Sequence, residues 1–324
     1  MGNSYTIIII ILILISIGFA IGLLFGSSNL TIQDFINTIT TKTNSGHMMI
    51  VWDIRMPRIV IALFVGAAFA ISGALLQITT RNPLGDPQLF GITGGALIIN
   101  ALAVSGILNV EQWQEMSIAV IASILGSGII YYCSSRDTVK PATLALIGFS
   151  IGAMSIAIST GIMAYSRVFT QQALGVIGGS TANLTWDDFT PVIPFFILGI
   201  VISVIISNRL HVLVLGDTLA RTLGVNPKQT RLFAIIAAAI LSGASVNIVG
   251  SIGLLGLITP HITRIIVGNN VKTILFFSIP FGSLIMIYSD QISRLIFMPY
   301  EVPVGLIITI IGAPIMVYLA WRHL

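Results

Sequence analysis

The chain alternates long apolar runs with short polar joints. The first run, Tyr5 to Phe25, carries no charge, and the first charged side chain is Asp34. Further runs fall at about 56–79, 91–109, 115–134, 142–165, 191–208, 231–249, 254–268, 273–293 and 303–321. About 20 apolar residues in a helix cross the hydrocarbon core, so the pattern predicts about ten transmembrane helices. No Lys or Arg precedes the first run, which therefore reads as a retained span and not as a signal peptide. The opening residues Met1 to Thr6 formally fit the N-myristoylation pattern, a short motif of low specificity.

Two features modulate this pattern. Gly66 to Ala74 is a surface of small residues, and Gly148 with Gly152 forms a GxxxG. In lipid such surfaces let backbones approach, within one chain or between subunits. The stretch Gly250 to Gly256 is too rich in glycine for a stable helix. Thr259-Pro260 then reads as an N-cap followed by proline at the first helical position, predicting a short helix over about 260–268. Irregular backbone at membrane depth survives only where protein buries it or a wet cavity lines it, so this segment belongs inside the bundle.

Composition narrows the picture. Of 324 residues, 56% are hydrophobic and 8% charged, against about 25% charged in soluble domains. Mean hydropathy is +1.02. Residues 1–324 therefore read as one all-α polytopic membrane domain in contact with lipid. A single cysteine, Cys133, excludes a disulfide framework and a cysteine metal cluster. The basic residues are scattered singly and form no nucleic-acid patch. With the N-terminus inside, the inner loops collect more Lys and Arg than the outer ones, so both termini are expected in the cytoplasm of a multi-pass cell-membrane protein.

Catalytic chemistry is not legible. His47, His211, His261 and His323 show no metal-ligand spacing, and neither HExxH nor a Walker A motif occurs. Gly148-Phe149-Ser150-Ile151-Gly152 matches GxSxG in letters, but it lies inside an apolar run and makes no nucleophile elbow. No catalytic residue, metal site or cofactor is assigned. Asp290 is the one carboxylate candidate within a span, and Arg294 four residues later offers a local ion pair. Any pumping energy must then come from another polypeptide. The loop 209–231 can present a surface to it, with Asp217 or Thr218 capping a short helix, Gly224 ending it, and Leu219 and Leu223 forming an apolar ridge.

These residues bring out a family. Arg55-Met56-Pro57-Arg58, Gly66, Gly73 and Gln77, Arg81-Asn82-Pro83-Leu84-Gly85-Asp86-Pro87, and Gly94-Gly95-Ala96 are followed by Leu223-Gly224-Val225 and by Gly256 to Arg264. Ser289-Asp290 with Arg294, Glu301-Val302-Pro303-Val304-Gly305 and Gly312-Ala313-Pro314 complete the series. In this order the chain resembles the permease subunits of ABC importers for iron–siderophore complexes, haem and cobalamin. The resemblance implies the ABC type II importer permease fold with about ten spans. It also implies a second permease, identical or paralogous, an ABC ATPase dimer that uses ATP, and an extracytoplasmic substrate-binding protein.

It further implies that Arg55, Arg58 and Arg294 are exposed docking residues for acidic lobes of the binding protein. Leu215, Gly216, Asp217, Ala220, Arg221, Leu223 and Gly224 would form the coupling helix against the ATPase. Ser135, Arg136, Gly148 and Gly152 would mark the inner gate and pathway. The expected function is import of an iron(III)–siderophore, with haem or cobalamin as alternatives. From a different class, the alternative is a secondary transporter or channel working without an ATPase.

Overall fold

Within a bilayer a backbone amide finds no water, so each apolar run closes its hydrogen bonds on itself as a helix. The computed structural model describes residues 2–26, 45–134, 141–298 and 300–322, and these contain helices and no strand. The helices are α1 (Gly2–Leu24), α2 (Ser45–Met49), α3 (Met56–Thr80), α4 (Gly94–Val104), α5 (Gln112–Ser134), α6 (Pro141–Tyr165) and α7 (Thr170–Gly178). They continue with α8 (Trp186–Phe189), α9 (Val192–Val214), α10 (Asp217–Thr222), α11 (Pro227–Val249), α12 (Leu255–Val267), α13 (Val271–Leu295) and α14 (Val304–Arg322).

Each of the ten expected runs contains a helix. Among the described residues seven are long and apolar enough to cross a membrane, whereas α4, α12 and α14 are shorter apolar helices. The run 91–109 shrinks to α4 because Gly91 and Gly106 both take positive φ and leave the helical path. Conversely, α3 is preceded by helix: α2 passes into a π-helical turn, Ile50–Arg55, where the Met56 N–H reaches the Val51 carbonyl five residues back. Pro57 cannot donate to the carbonyl four residues before it, and the wider turn accommodates that loss.

The centre of the bundle is α3. Of its 25 residues 21 are buried, and it packs along α13, α11 and α12. Two glycine crossings set these distances. A Cβ on Gly66 would collide with the Gly282 carbonyl of α13, and one on Gly73 with the Gly256 carbonyl of α12. The small-residue surface read in the sequence is thus spent on intrachain packing, the lipid-phase substitute for a hydrophobic driving force.

The broken segment differs from its expected form. Leu254 takes the left-handed backbone (φ 67), α12 starts at Leu255, and Pro260 lies inside the helix. A proline there strips the carbonyl four residues back of its helical donor, and that carbonyl belongs to Gly256. The Gln77 side-chain amide supplies the replacement, lying 3.4 Å from Gly256 O and 3.1 Å from Leu257 O. Arg264 in turn donates to Gln77 Oε1 at 2.5 Å. A more conventional start serves α13, where the Asn270 side chain accepts from the Lys272 and Thr273 amides.

Replacing Gly73 by Val should push α12 off α3. Overpacking of this kind costs about 1–3 kcal/mol, read as a lower unfolding temperature in detergent; an unchanged melt would mean that the crossing is not tightly packed.

Candidate functional site

The two ends of α3 carry the chain's main charge networks. At the arginine end, helix α1 terminates with its last carbonyls unpaired. Arg55 donates to Leu23 O and to Leu24 O (2.5 and 2.8 Å), and Arg294 donates to Gly22 O and Phe25 O (3.1 and 2.6 Å). Cations here also complement the negative end of the helix dipole. Between them Arg58 is committed to acids. Its Nε and Nη2 donate to Asp290 Oδ1 (2.9 and 2.8 Å), and Nη1 donates to both Glu301 oxygens at 2.9 Å. The Thr181 hydroxyl also donates to Asp290.

This corrects two expectations. Arg55, Arg58 and Arg294 are buried, at 4, 7 and 6% exposure, and do not stand free at a surface. An unpartnered guanidinium at this depth is expensive, and each finds oxygen acceptors inside the chain. Asp290 has Arg58 as its close partner; the local Arg294 lies 4.0 Å away. In the same network, Glu301 keeps a side-chain exposure of 30%. Beside it opens a cavity of about 490 Å³ whose lining includes Asn100, Gln171, Gln172, Asn183 and Glu301.

The other end of α3 meets the expected coupling hairpin. Here Asp217 is the first residue of α10; Gly216 (φ 114) occupies the cap position, and no side chain caps the helix. The Asp217 carboxylate receives Arg81 at 2.5 Å and Arg231 at 2.8 Å, and Arg81 also donates to Leu213 O at 2.9 Å. Burial alone would raise the Asp217 carboxyl, but the bonds and charges of Arg231 and then Arg81 more than offset it and hold it below the usual carboxylate range. Leu215, Leu219 and Leu223 are 56, 53 and 60% exposed, and Arg221 and Gly224 are exposed too. Ala220 is fully buried beneath them and so presents nothing to a partner, contrary to expectation.

The expected gate residues divide. Ser135 and Arg136 lie outside the described residues. A Cβ on Gly148 would meet the Phe90 backbone at 2.5 Å, and one on Gly152 the Gln88 carbonyl at 3.0 Å. Their absent side chains let α6 lie against the chain's own 88–91 loop, so these two glycines serve intrachain packing. In the same loop Asp86 is fully buried. Its Oδ1 accepts from the Gln88 and Leu89 amides at 2.9 and 3.2 Å. Burial pushes its carboxyl up to about 6, opposed by the amides of Leu89, Gln88 and Leu257.

The profile of the FecCD transport family matches residues 9–322. The chain belongs to the FecCD transport family. The Fe(3+)-citrate import system permease protein YfmD of Bacillus subtilis (strain 168) is 35% identical over 312 residues, covering 96% of this chain and 93% of that protein. The B. subtilis protein YfiZ, described as a probable siderophore transport system permease protein, is 29% identical over 99% of this chain and 97% of its own length. A solved structure of a metal-chelate type ABC transporter in an inward-facing conformation superposes with a TM-score of 0.82 at 26% identity, covering 98% of this chain and 99% of that one.

This FecCD chain is accordingly a multi-pass membrane permease subunit of an ABC importer, and ATP is hydrolysed by a separate polypeptide. Sequence reasoning had Glu301 and Arg81 within its family stretches but gave neither a role. It gave none to Thr181 or Arg231 either. Their partners lie from 14 to 243 residues away, and no local spacing encodes such pairs.

Two outcomes test these networks in the FecCD chain. Arg58→Leu leaves Asp290 charged and buried, which should cost about 3–5 kcal/mol, and adding Asp290→Asn should recover most of that loss in thermal melts; a double variant as unstable as the single would show that charge pairing is not what Arg58 supplies. For Asp86, the folded chain holds the proton more tightly than the unfolded chain. Its contribution is therefore most favourable below about pH 4 and is lost as pH rises through about 6. The shift from 3.8 to about 6 corresponds to about 3 kcal/mol. Asp86→Asn should flatten that slope and raise the melting temperature at neutral pH; an unaltered pH profile would show that Asp86 does not titrate in this window.

Proposed function

We propose that this chain forms half of the translocation unit of an ATP-driven importer for an iron(III)–siderophore, working with a second permease, an ATPase dimer and an extracytoplasmic binding protein. Both termini and the α10 hairpin face the cytoplasm, and the arginine end faces outward. The observation that carries the reading is the α10 hairpin: Leu219 on the helix and Leu215 and Leu223 flanking it are exposed, and its first residue, Asp217, is held by two arginines. An apolar ridge on a firm mount suits a groove in a partner, and the lipid that covers the other apolar faces does not reach a loop between spans.

At the arginine end the binding protein meets Arg55, Arg58 and Arg294 through their network. Acidic lobes compete with Glu301 for the Arg58 guanidinium, whose forked N–H donors suit a carboxylate. The adjoining cavity, with its amides at Asn100, Gln171, Gln172 and Asn183, receives the released chelate. Iron travels inside its chelator, and the relatives named for ferric citrate and siderophore transport support an iron chelate as cargo. Alternating access then follows from ATP-driven closure of the ATPase dimer, which displaces α10.

The test uses cysteines introduced at Leu219 or Thr222 after Cys133→Ser. Both should crosslink to the co-expressed ATPase, and Leu219→Asp should weaken assembly by roughly 30-fold, the cost of losing one interface hot spot. Ion-gradient transport by vesicles holding only this chain, with no crosslink to an ATPase, would instead establish the secondary-transporter alternative.

A further inference from the structure

The two charge networks sit on one helix. Arg58 stands in the first turn of α3, and Arg81 is the residue that caps its other end. At 1.5 Å per residue they are about 35 Å apart. Between them α3 has no interior proline, is buried along nearly its whole length, and is fixed sideways at the Gly66–Gly282 and Gly73–Gly256 crossings. A helix so confined cannot bend locally without opening those crossings, so a displacement of one end is carried to the other.

Arg81 itself is placed in an unusual way. Its backbone is left-handed, with φ 51, a conformation that glycine adopts without steric cost and arginine does not. Its side chain is 41% exposed, so it fills no core, and an ion pair that open to water adds little stability. What it does make is geometric: one guanidinium joins the end of α3 to the last turn of α9 through Leu213 O and to the first residue of α10 through Asp217. Arg231, from α11, holds the same Asp217 oxygen independently. The hairpin would therefore stay anchored to α11 without Arg81 and would lose only its tie to α3.

We propose that α3 is a rigid rod transmitting displacement between the outer arginine network and α10, and that Arg81 is the positioning residue through which it acts. This rests on the importer reading above. Loosening of Arg58 from Glu301 at one end shifts α3, and Arg81 passes the shift to Asp217 and the leucine ridge. Gln77, joined to α12 and Arg264 one turn before Arg81, moves the broken segment with it.

The experiment is performed on the complete transporter in nanodiscs, measuring ATPase activity with and without saturating binding protein. Arg81→Gln should reduce stimulation by the binding protein about fivefold or more, the usual scale of coupling between sites, while the ATPase still co-purifies and the melting temperature stays close to wild type. Arg81→Lys, which keeps the charge and loses the fork, should restore part of the stimulation. Glu301→Gln perturbs the outer end at a partly exposed residue, and its effect should vanish in the Arg81→Gln background. Full stimulation in Arg81→Gln, an equal loss in Arg231→Gln with Arg81 intact, or strict additivity of Glu301→Gln and Arg81→Gln would each overturn the proposal. Failure of Arg81→Gln to retain the ATPase would make Arg81 a contact residue and overturn it too. A wild-type complex whose ATPase binds but never responds to the binding protein would overturn the importer reading itself, a different result from any of these.

Discussion

Polar groups that leave water within this bundle must be matched by other parts of the same chain. That constraint explains why so few charged residues build so much of the architecture. Arg55 and Arg294 finish the end of α1, which otherwise exposes the unpaired carbonyls of its last turn at the foot of α3 and α13. Gln77 replaces the donor that Pro260 lacks. Asp86 receives two amides of a part-buried turn that would otherwise lack acceptors. In each case a side chain satisfies the backbone, and the geometry of the chain is fixed as a by-product.

Close packing is the second half of that constraint. Lipid tails are as apolar as leucine, so helices gain from contact only through fit. At the Gly66–Gly282 and Gly73–Gly256 crossings the absence of Cβ atoms lets α13 and α12 touch the α3 backbone. The consequence is a graded interior. The α3 and α11 spans are 83 and 78% buried, while those of α1 and α6 are 22% buried and present most of their surface outward. A tightly packed centre is the stiff part of the bundle, and the apolar flanks of α1 and α6 are left for lipid or another apolar surface to cover.

What the sequence made legible follows from the same physics. Long apolar runs have one solution in a bilayer, so the helices and their order were readable, as was the exposed ridge of Leu219 and Leu223 on a polar hairpin. Periodicity along one helix could also suggest the Asp290–Arg294 pair. It could not show that Arg58, 232 residues away, holds the same carboxylate more closely. The three arginines looked exposed because charge predicts exposure for an isolated side chain; the fold buries them because α1 ends beside them and two acids arrive from α13 and the segment before α14. Pro260 was read as a helix start for a related reason. Its lost hydrogen bond looks prohibitive locally, and only the neighbouring α3 reveals the amide that replaces it. Ala220 shows the limit within a motif: six residues of helix cannot all face a partner, and the sequence did not say which face packs inward.

The contrast between the two ends of α3 bears on how such a permease stores and releases conformational energy. At the arginine end Arg58 and Asp290 are almost fully buried, so parting that pair carries a large penalty, while Glu301 keeps 30% side-chain exposure and is the partner that another carboxylate can replace. At the hairpin end Arg81 is 41% exposed, and water can stand in whenever the bond to Asp217 opens. On the importer reading proposed above, the Arg58–Asp290 pair would act as the fixed part of a latch whose Glu301 contact is exchanged, and Arg81 as a pin that yields gradually. In that importer, with the arginine network outside and Arg81 inside, a discrete docking event would produce a graded movement of α10. The reverse arrangement would let thermal motion of the hairpin break the latch without a partner present.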